Sequence, residues 1–304
     1  MWLDCLVNSP PYDHWSPVPS PVSASGLREQ LRHHALFGRF ALGRRIGGGA
    51  EADIYAGQEV GTDREVAVKI AHRAPTITER GKNHPGAELQ AELDHPNVMT
   101  VLAAGHFDDA EDKRFGHPVQ VMPRAVAGDL QRHLRGRRRP ADELAGWIAG
   151  VAAGLAEIHD RDLAHRDVKP SNILLPSTPD GVAQLTDFGS CGHVGDVRVA
   201  GSSGSAHYMS PEQVLGEAIT AASDIYSLGL VLLECLGAEQ SFPGPSLEAM
   251  LARLFRDPRV PEELDEQWGR CIRAMTARAP GDRPSAHEAN ALILDALRVP
   301  ALAA

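Results

Sequence analysis

The chain has 304 residues, 43% apolar and 23% charged, with a formal net charge of −10. That length allows two packed lobes or one large domain, the composition excludes a disordered chain, and the acidic balance argues against nucleic acid as a partner. Its four cysteines form no CxxC pair, which excludes a zinc knuckle or a dense disulfide framework.

Residues 1–36 scatter Pro and Ser without a period, including Pro10, Pro11, Pro17, Pro19 and Pro21. They read as a mostly disordered tail. From Phe40 the pattern turns to short β-type runs at Phe40–Ile46, Ala52–Gly57, Glu65–Ile70, Val98–His106 and Pro118–Met122. Between the third and fourth, Pro85 and Gly86 permit only a short helix starting near Pro85, after a loop over 81–84. Beyond residue 128 the chain becomes helical. In Asp142–Asp160 the residues Leu144, Trp147, Ile148, Val151, Leu155 and Ile158 recur at three- and four-residue steps and predict one buried face. Asp224–Leu236 is apolar nearly all round, so it predicts a core helix. Glu234 interrupts its apolar run, which is far short of the roughly 20 residues of a membrane span. No basic segment followed by an apolar run opens the chain, so a cytoplasmic location is expected. A β-rich part followed by an α-rich part predicts a two-lobed α+β fold.

Four constellations follow one another. Gly47-Gly48-Gly49-Ala50-Glu51-Ala52-Asp53-Ile54 approximates GxGxxGxV, with Ala52 in the third glycine place. Glycines there let the backbone approach a triphosphate with its N–H groups turned inward. In Val66-Ala67-Val68-Lys69 a lysine ends an otherwise apolar strand, and a buried lysine needs an anionic partner such as a nucleotide phosphate. His165-Arg166-Asp167-Val168-Lys169-Pro170-Ser171-Asn172 comes directly after the amphipathic helix. Phosphoryl transfer asks a protein mainly for positioning and charge neutralisation. Asp167 can accept a hydroxyl proton, Lys169 can meet charge on the transferred group, and Asn172 can ligate Mg²⁺. Asp187-Phe188-Gly189 then offers a carboxylate to the same hard cation.

In this order, and over roughly residues 40–298, these motifs resemble the protein kinase family, in its eukaryotic-type (Hanks-type) serine/threonine branch and similar to soluble bacterial members. The resemblance implies a kinase domain over 37–299, with an N-lobe to about 122, a hinge at 123–127 and a C-lobe from about 128. It implies a non-specific serine/threonine protein kinase that uses ATP and Mg²⁺ on protein substrates and autophosphorylates its activation segment, an arrangement that a dimer would serve. Asp167 would be the catalytic base, assisted by Lys169 and Lys69. Gly47, Gly49, Ile54, Lys69, Pro123, Ala125, Asp129, Asn172 and Asp187 would bind the nucleotide, with Asn172 and Asp187 holding Mg²⁺. Met122 would be the gatekeeper, Glu212 would pair with Arg283, and Asp224 would fix the backbone of His165 and Arg166.

Two points depart from the pattern or stay open. The glutamate that pairs with the strand lysine in active kinases is replaced by Gly86. Either Glu88 turns toward Lys69, or Lys69 leans on Asp187, with Glu79 a third candidate. The resemblance implies a phosphate for Arg166 to receive, and the stretch between Gly189 and Tyr208 holds no threonine. With Ser205 expected to hydrogen-bond to the catalytic loop, Ser202 and Ser203 are the expected phosphosites, or Asp196 is a standing negative charge. The alternatives from other classes are a pseudokinase-type ATP-binding scaffold and a small-molecule phosphotransferase.

Overall fold

Residues 36–73, 85–107, 112–136, 140–178, 181–196, 206–237 and 240–298 are described by the structure, a computed structural model. Strands β1 (Phe40–Gly48), β2 (Ala52–Glu59), β3 (Glu65–Ala71), β4 (Ala103–His106) and β5 (Pro118–Pro123) form one antiparallel sheet in the order β1-β2-β3-β5-β4. Side chains alternate across a strand. In β3, Val66, Val68 and Ile70 therefore enter a small core with Phe40, Phe107, Val119 and Val121, and Lys69 emerges on the opposite face. Helix α1 (Pro85–Ala91) lies between β3 and β4 in the chain and is as short as its proline and glycine dictate.

The second lobe is built on α3 (Ala141–His159) and α5 (Ala221–Cys235), preceded respectively by the short helices α2 (Leu130–Leu134) and α4 (Pro211–Leu215). Leu144, Ile148, Val151, Leu155 and Ile158 form the buried face of α3, as their spacing predicts. Helix α5 is buried on nearly all sides. Helices α6 (Ser246–Phe255), α7 (Glu266–Met275) and α8 (Ala286–Arg298) complete the lobe. Among the described residues no helix is long and apolar enough to cross a membrane. Two-residue strands β6 (Leu163–Ala164), β7 (Ile173–Leu174), β8 (Gln184–Leu185) and β9 (Gly192–His193) pair as β6-β9 and β7-β8.

The structure corrects one predicted strand. Val98–His106 is not continuous, because only Ala103–His106 joins the sheet. Asn97–Met99 pairs with the second lobe instead: Leu185 N–H donates to Asn97 O at 2.8 Å and Met99 N–H to Leu185 O at 2.9 Å. The segment clasps the two lobes, and the strand pattern could not say which sheet it would join.

Candidate active site

The cleft between the lobes is built from the β1–β2 hairpin, β3, the β5–α2 connection, the Arg166–Asn172 loop and the Asp187–Ser190 turn. In the hairpin, Gly49 N–H donates to Ala52 O at 2.9 Å. At Gly48 an added Cβ would lie 2.5 Å from Asp53 Oδ1 and 2.5 Å from Arg45 Nη2, the ends of side chains that can swing aside. Those two side chains pair at 2.7 Å across the hairpin. At Gly47 an added Cβ meets only Ile54 Cβ at 4.0 Å, and at Gly49 it meets nothing within 4 Å. Ala52 is buried and Ile54 half-buried.

On the connecting side, Met122 is buried and its Sδ lies 3.7 Å from Thr186 Oγ1. Pro123 ends β5 opposite Val66, and the half-buried Ala125 follows. Asp129 caps α2 by accepting from Arg132 N–H at 2.8 Å.

The loop after β6 hangs from Asp224 at the start of α5, whose side chain is 1% exposed. Its carboxylate accepts from His165 N–H at 2.8 Å and Arg166 N–H at 2.7 Å, with His159 Nε2 at 2.9 Å. Turning two consecutive amides onto one carboxylate goes with a left-handed backbone at Arg166, φ 68°, uncommon for a residue with a side chain. Burial alone would raise the Asp224 carboxyl. His159 above all, with His165 and the Arg166 amide, takes it below its ordinary value. Beyond the anchor, Lys169 Nζ donates to Asp167 Oδ2 at 2.7 Å. Asn172 Nδ2 donates to Asp167 O at 2.8 Å and to Asp167 Oδ2 at 3.1 Å.

Asp187 also has a left-handed backbone, at φ 67° and ψ 68°. Lys69 Nζ reaches its Oδ1 at 2.6 Å, closing the cleft from β3. Burial pushes this carboxyl up, but Lys69, with smaller contributions from His165 and Lys169, takes it below its ordinary value, so it is ionised at neutral pH. An ionised Asp187 and an Asn172 whose amide nitrogen is spent on Asp167 present hard oxygen donors of the kind Mg²⁺ takes when phosphates supply other ligands. The residues present fit that ion.

Glu88 does not turn toward Lys69; it is exposed on α1, and the carboxylate beside Lys69 is Asp187. Gly86, Ala87 and Gln90 are the buried positions of α1, and Glu88, two residues from Gly86 and from Gln90, points about 200° away from both. Glu79, Ser202 and Ser203 lie outside the described residues. The buried Arg166 guanidinium donates through Nη2 to His193 O and to Asp196 Oδ2, the latter at 3.0 Å, and its Nε is buried without a hydrogen-bond partner. Glu212 and Arg283 form a bidentate pair at 2.7 and 2.9 Å, to which Ser223 Oγ adds a hydrogen bond at 2.7 Å.

Several supporting residues escape a reading of the sequence. Gln213 Nε2 holds Arg166 O at 2.9 Å. Its signal is present in Ser210-Pro211-Glu212-Gln213, an S-x-x-Q capping box realised at the start of α4. His159 and the buried Gln90 carry no such signal. Arg253, fully buried, donates to Met209 O and, at 3.1 Å, to His207 O, fastening α6 to the segment before α4.

Comparison with known proteins agrees with this geometry. The protein kinase domain family matches residues 40–292. The chain is 32% identical over 264 residues to the serine/threonine-protein kinase PknA of Corynebacterium glutamicum, covering 84% of this chain and 55% of that protein. It is 30% identical over 264 residues to the serine/threonine-protein kinase PrkC of Bacillus subtilis, with 81% and 38% covered. To the serine/threonine-protein kinase PknL of Mycobacterium tuberculosis it is 32% identical over 268 residues, with 85% and 65% covered. The chain thus spans between 38% and 65% of the length of these relatives. With a five-stranded lobe, a helical lobe and the motif side chains converging between them, this chain belongs to the protein kinase family.

Proposed function

We propose that the protein transfers the γ-phosphoryl group of ATP to serine or threonine hydroxyls of protein substrates, with residues 37–299 as the catalytic unit. The observation that carries this reading is the convergence in one cleft of two hydrogen-bonded sets, Lys69 with Asp187 at 2.6 Å and Asp167 with Lys169 at 2.7 Å and Asn172 at 3.1 Å. A scaffold that only binds nucleotide has no need of Asp167 held between a lysine and an asparagine.

Asp167 accepts the proton of the attacking hydroxyl, and Asn172 fixes its orientation. Lys169, beside it, meets the negative charge that develops on the transferred group. Lys69 and the N–H groups of the hairpin hold the nucleotide phosphates. Asn172 and Asp187 would hold Mg²⁺, which when bound neutralises phosphate charge. The Pro123 carbonyl and Ala125 N–H would meet the adenine, and Asp129 the ribose. Ser202 and Ser203 are the proposed acceptors within the protein's own activation segment, and two copies would pair transiently for that reaction.

The test is phosphoryl transfer from labelled ATP to a generic protein substrate, with intact-mass measurement of the kinase itself. Asp167→Asn should lower transfer by about 10²- to 10⁴-fold while nucleotide binding survives. The wild type should carry phosphate that the variant lacks. Equal rates for the two proteins would refute the assignment of the base.

A further inference from the structure

Among the described residues no helix carboxylate anchors the strand lysine, yet α1 is fixed firmly against the catalytic turn. Gly86 lies so close to the Asp187–Ser190 turn that a Cβ would sit 2.1 Å from Phe188 O and 2.6 Å from Phe188 C. Backbone cannot yield as a flexible side chain can, so only glycine permits this approach. Glycine is otherwise among the poorest helix formers, and its presence inside a seven-residue helix needs such a reason. One turn on, Gln90 is 1% exposed and satisfied at both ends. Its Nε2 donates to Met99 O at 2.6 Å, and its Oε1 accepts from Gln120 Nε2 at 2.8 Å.

These contacts close a ring. Gln120 is the cross-strand neighbour of Lys69 on β5. It holds Gln90, whose helix carries Gly86 onto Phe188. Phe188 is buried edge-on against His165, at 4.9 Å between ring centroids, and Asp187 next to it returns to Lys69. Met99, the other partner of Gln90, is itself tied to Leu185, two residues before Asp187.

We propose that Gly86 and Gln90 are positioning residues that hold the Asp187–Gly189 turn ready for the metal, in place of a lysine–glutamate pair. The proposal rests on the kinase reading of the cleft. Asp187 is the carboxylate paired with Lys69, and it is also the one the metal would take. The turn must therefore keep its place while Asp187 shifts its interaction from lysine to metal, and the α1 contact supplies that constraint. The neutral Gln90 does this without adding a second carboxylate beside Lys69.

The test uses the full chain and two readouts that need no phosphoryl transfer. One is Mg²⁺-dependent binding of a fluorescent ADP analogue. The other is hydrogen exchange, in metal-free protein, of the Cys191 amide, which bonds Phe188 O at 3.0 Å. Gly86→Ala should raise the Mg²⁺ concentration for half-maximal binding about fivefold or more and speed that exchange about tenfold. Gln90→Leu keeps an apolar body in place of the amide and should move both readouts in the same direction by about twofold or more. Glu88→Ala should behave as wild type in both. A folded Gly86→Ala protein with wild-type Mg²⁺ dependence and exchange overturns the proposal. If that variant does not fold, wild-type behaviour of Gln90→Leu overturns it equally. Should the wild type bind Mg-nucleotide but transfer no phosphate, the kinase reading falls and the positioning roles stand or fall by the same two measurements. Should it bind no nucleotide at all, the exchange rates alone decide.

Discussion

Asp224 touches neither of the groups that would react, but the position of Asp167 depends on it. Both its oxygens are taken by backbone N–H groups, and His159 stands against one of them. Asp224→Asn keeps the shape but turns an amide NH₂ toward a donor that needs an acceptor. Leaving one buried donor unsatisfied costs about 1–3 kcal/mol. The expected outcome is a loss of that size in urea unfolding, with phosphoryl transfer reduced more than nucleotide binding. A lowered carboxyl also sets a pH dependence. Its stabilising effect is present above the unfolded value of 3.8 and is lost as pH falls through the lower folded value. Wild type should therefore lose its advantage over the variant at strongly acidic pH, as paired unfolding curves would record.

Among the helices, α5 contains a second ionisable group with the opposite behaviour. Glu234, near its C-terminal end, is raised to about 7 by burial, with a partial offset from the Tyr208 hydroxyl 3.0 Å away. An acid raised on folding keeps its proton in the native state while the unfolded chain gives it up. Native stability therefore falls as pH rises from the unfolded value of 4.5 through about 7. Glu234→Gln retains an acceptor for Tyr208 and removes the ionisation. Its melting temperature should exceed that of wild type at pH 8 and match it near pH 4.5. Thermal melts across that range would check this, and a constant difference at every pH would dismiss the titration as the cause.

Across the fold, the second lobe depends on one buried ion pair. Arg283 joins Glu212 on α4 to the Ala277 and Arg278 carbonyls, and its guanidinium stacks on Tyr226 at 4.9 Å. Burial opposes ionisation of Glu212, and Arg283 and Ser223 overcome it. Removing one partner of such a pair leaves a buried charge and costs about 3–5 kcal/mol. Arg283→Met should show that loss in chemical denaturation. Adding Glu212→Gln should recover part of it, because the stranded charge is then gone. No recovery in the double variant would mean that the arginine acts mainly through its carbonyl and ring contacts.

Most of the fold was legible in the linear pattern. Alternating and 3.6-residue periodicities report which face of a strand or helix is apolar, and that is a local property of β3, α3 and α5. The Arg166–Asn172 loop was legible for the same reason: Asp167, Lys169 and Asn172 are close in the chain, so their hydrogen bonds follow from one short backbone path. The Val98–His106 run was misjudged because strand character says nothing about which neighbour supplies the partner, and Asn97–Met99 took Leu185. The partner of Lys69 stayed open between Glu88 and Asp187 for a related reason. It depends on the rotation of α1 and on its distance from the Asp187 turn, and a backbone contact at Gly86 sets both. Order, spacing and residue type thus determined the family, the two lobes and the chemical groups. Which groups meet across elements was decided only by tertiary packing, because hydrogen bonds and ion pairs discriminate over distances far shorter than any periodicity can resolve.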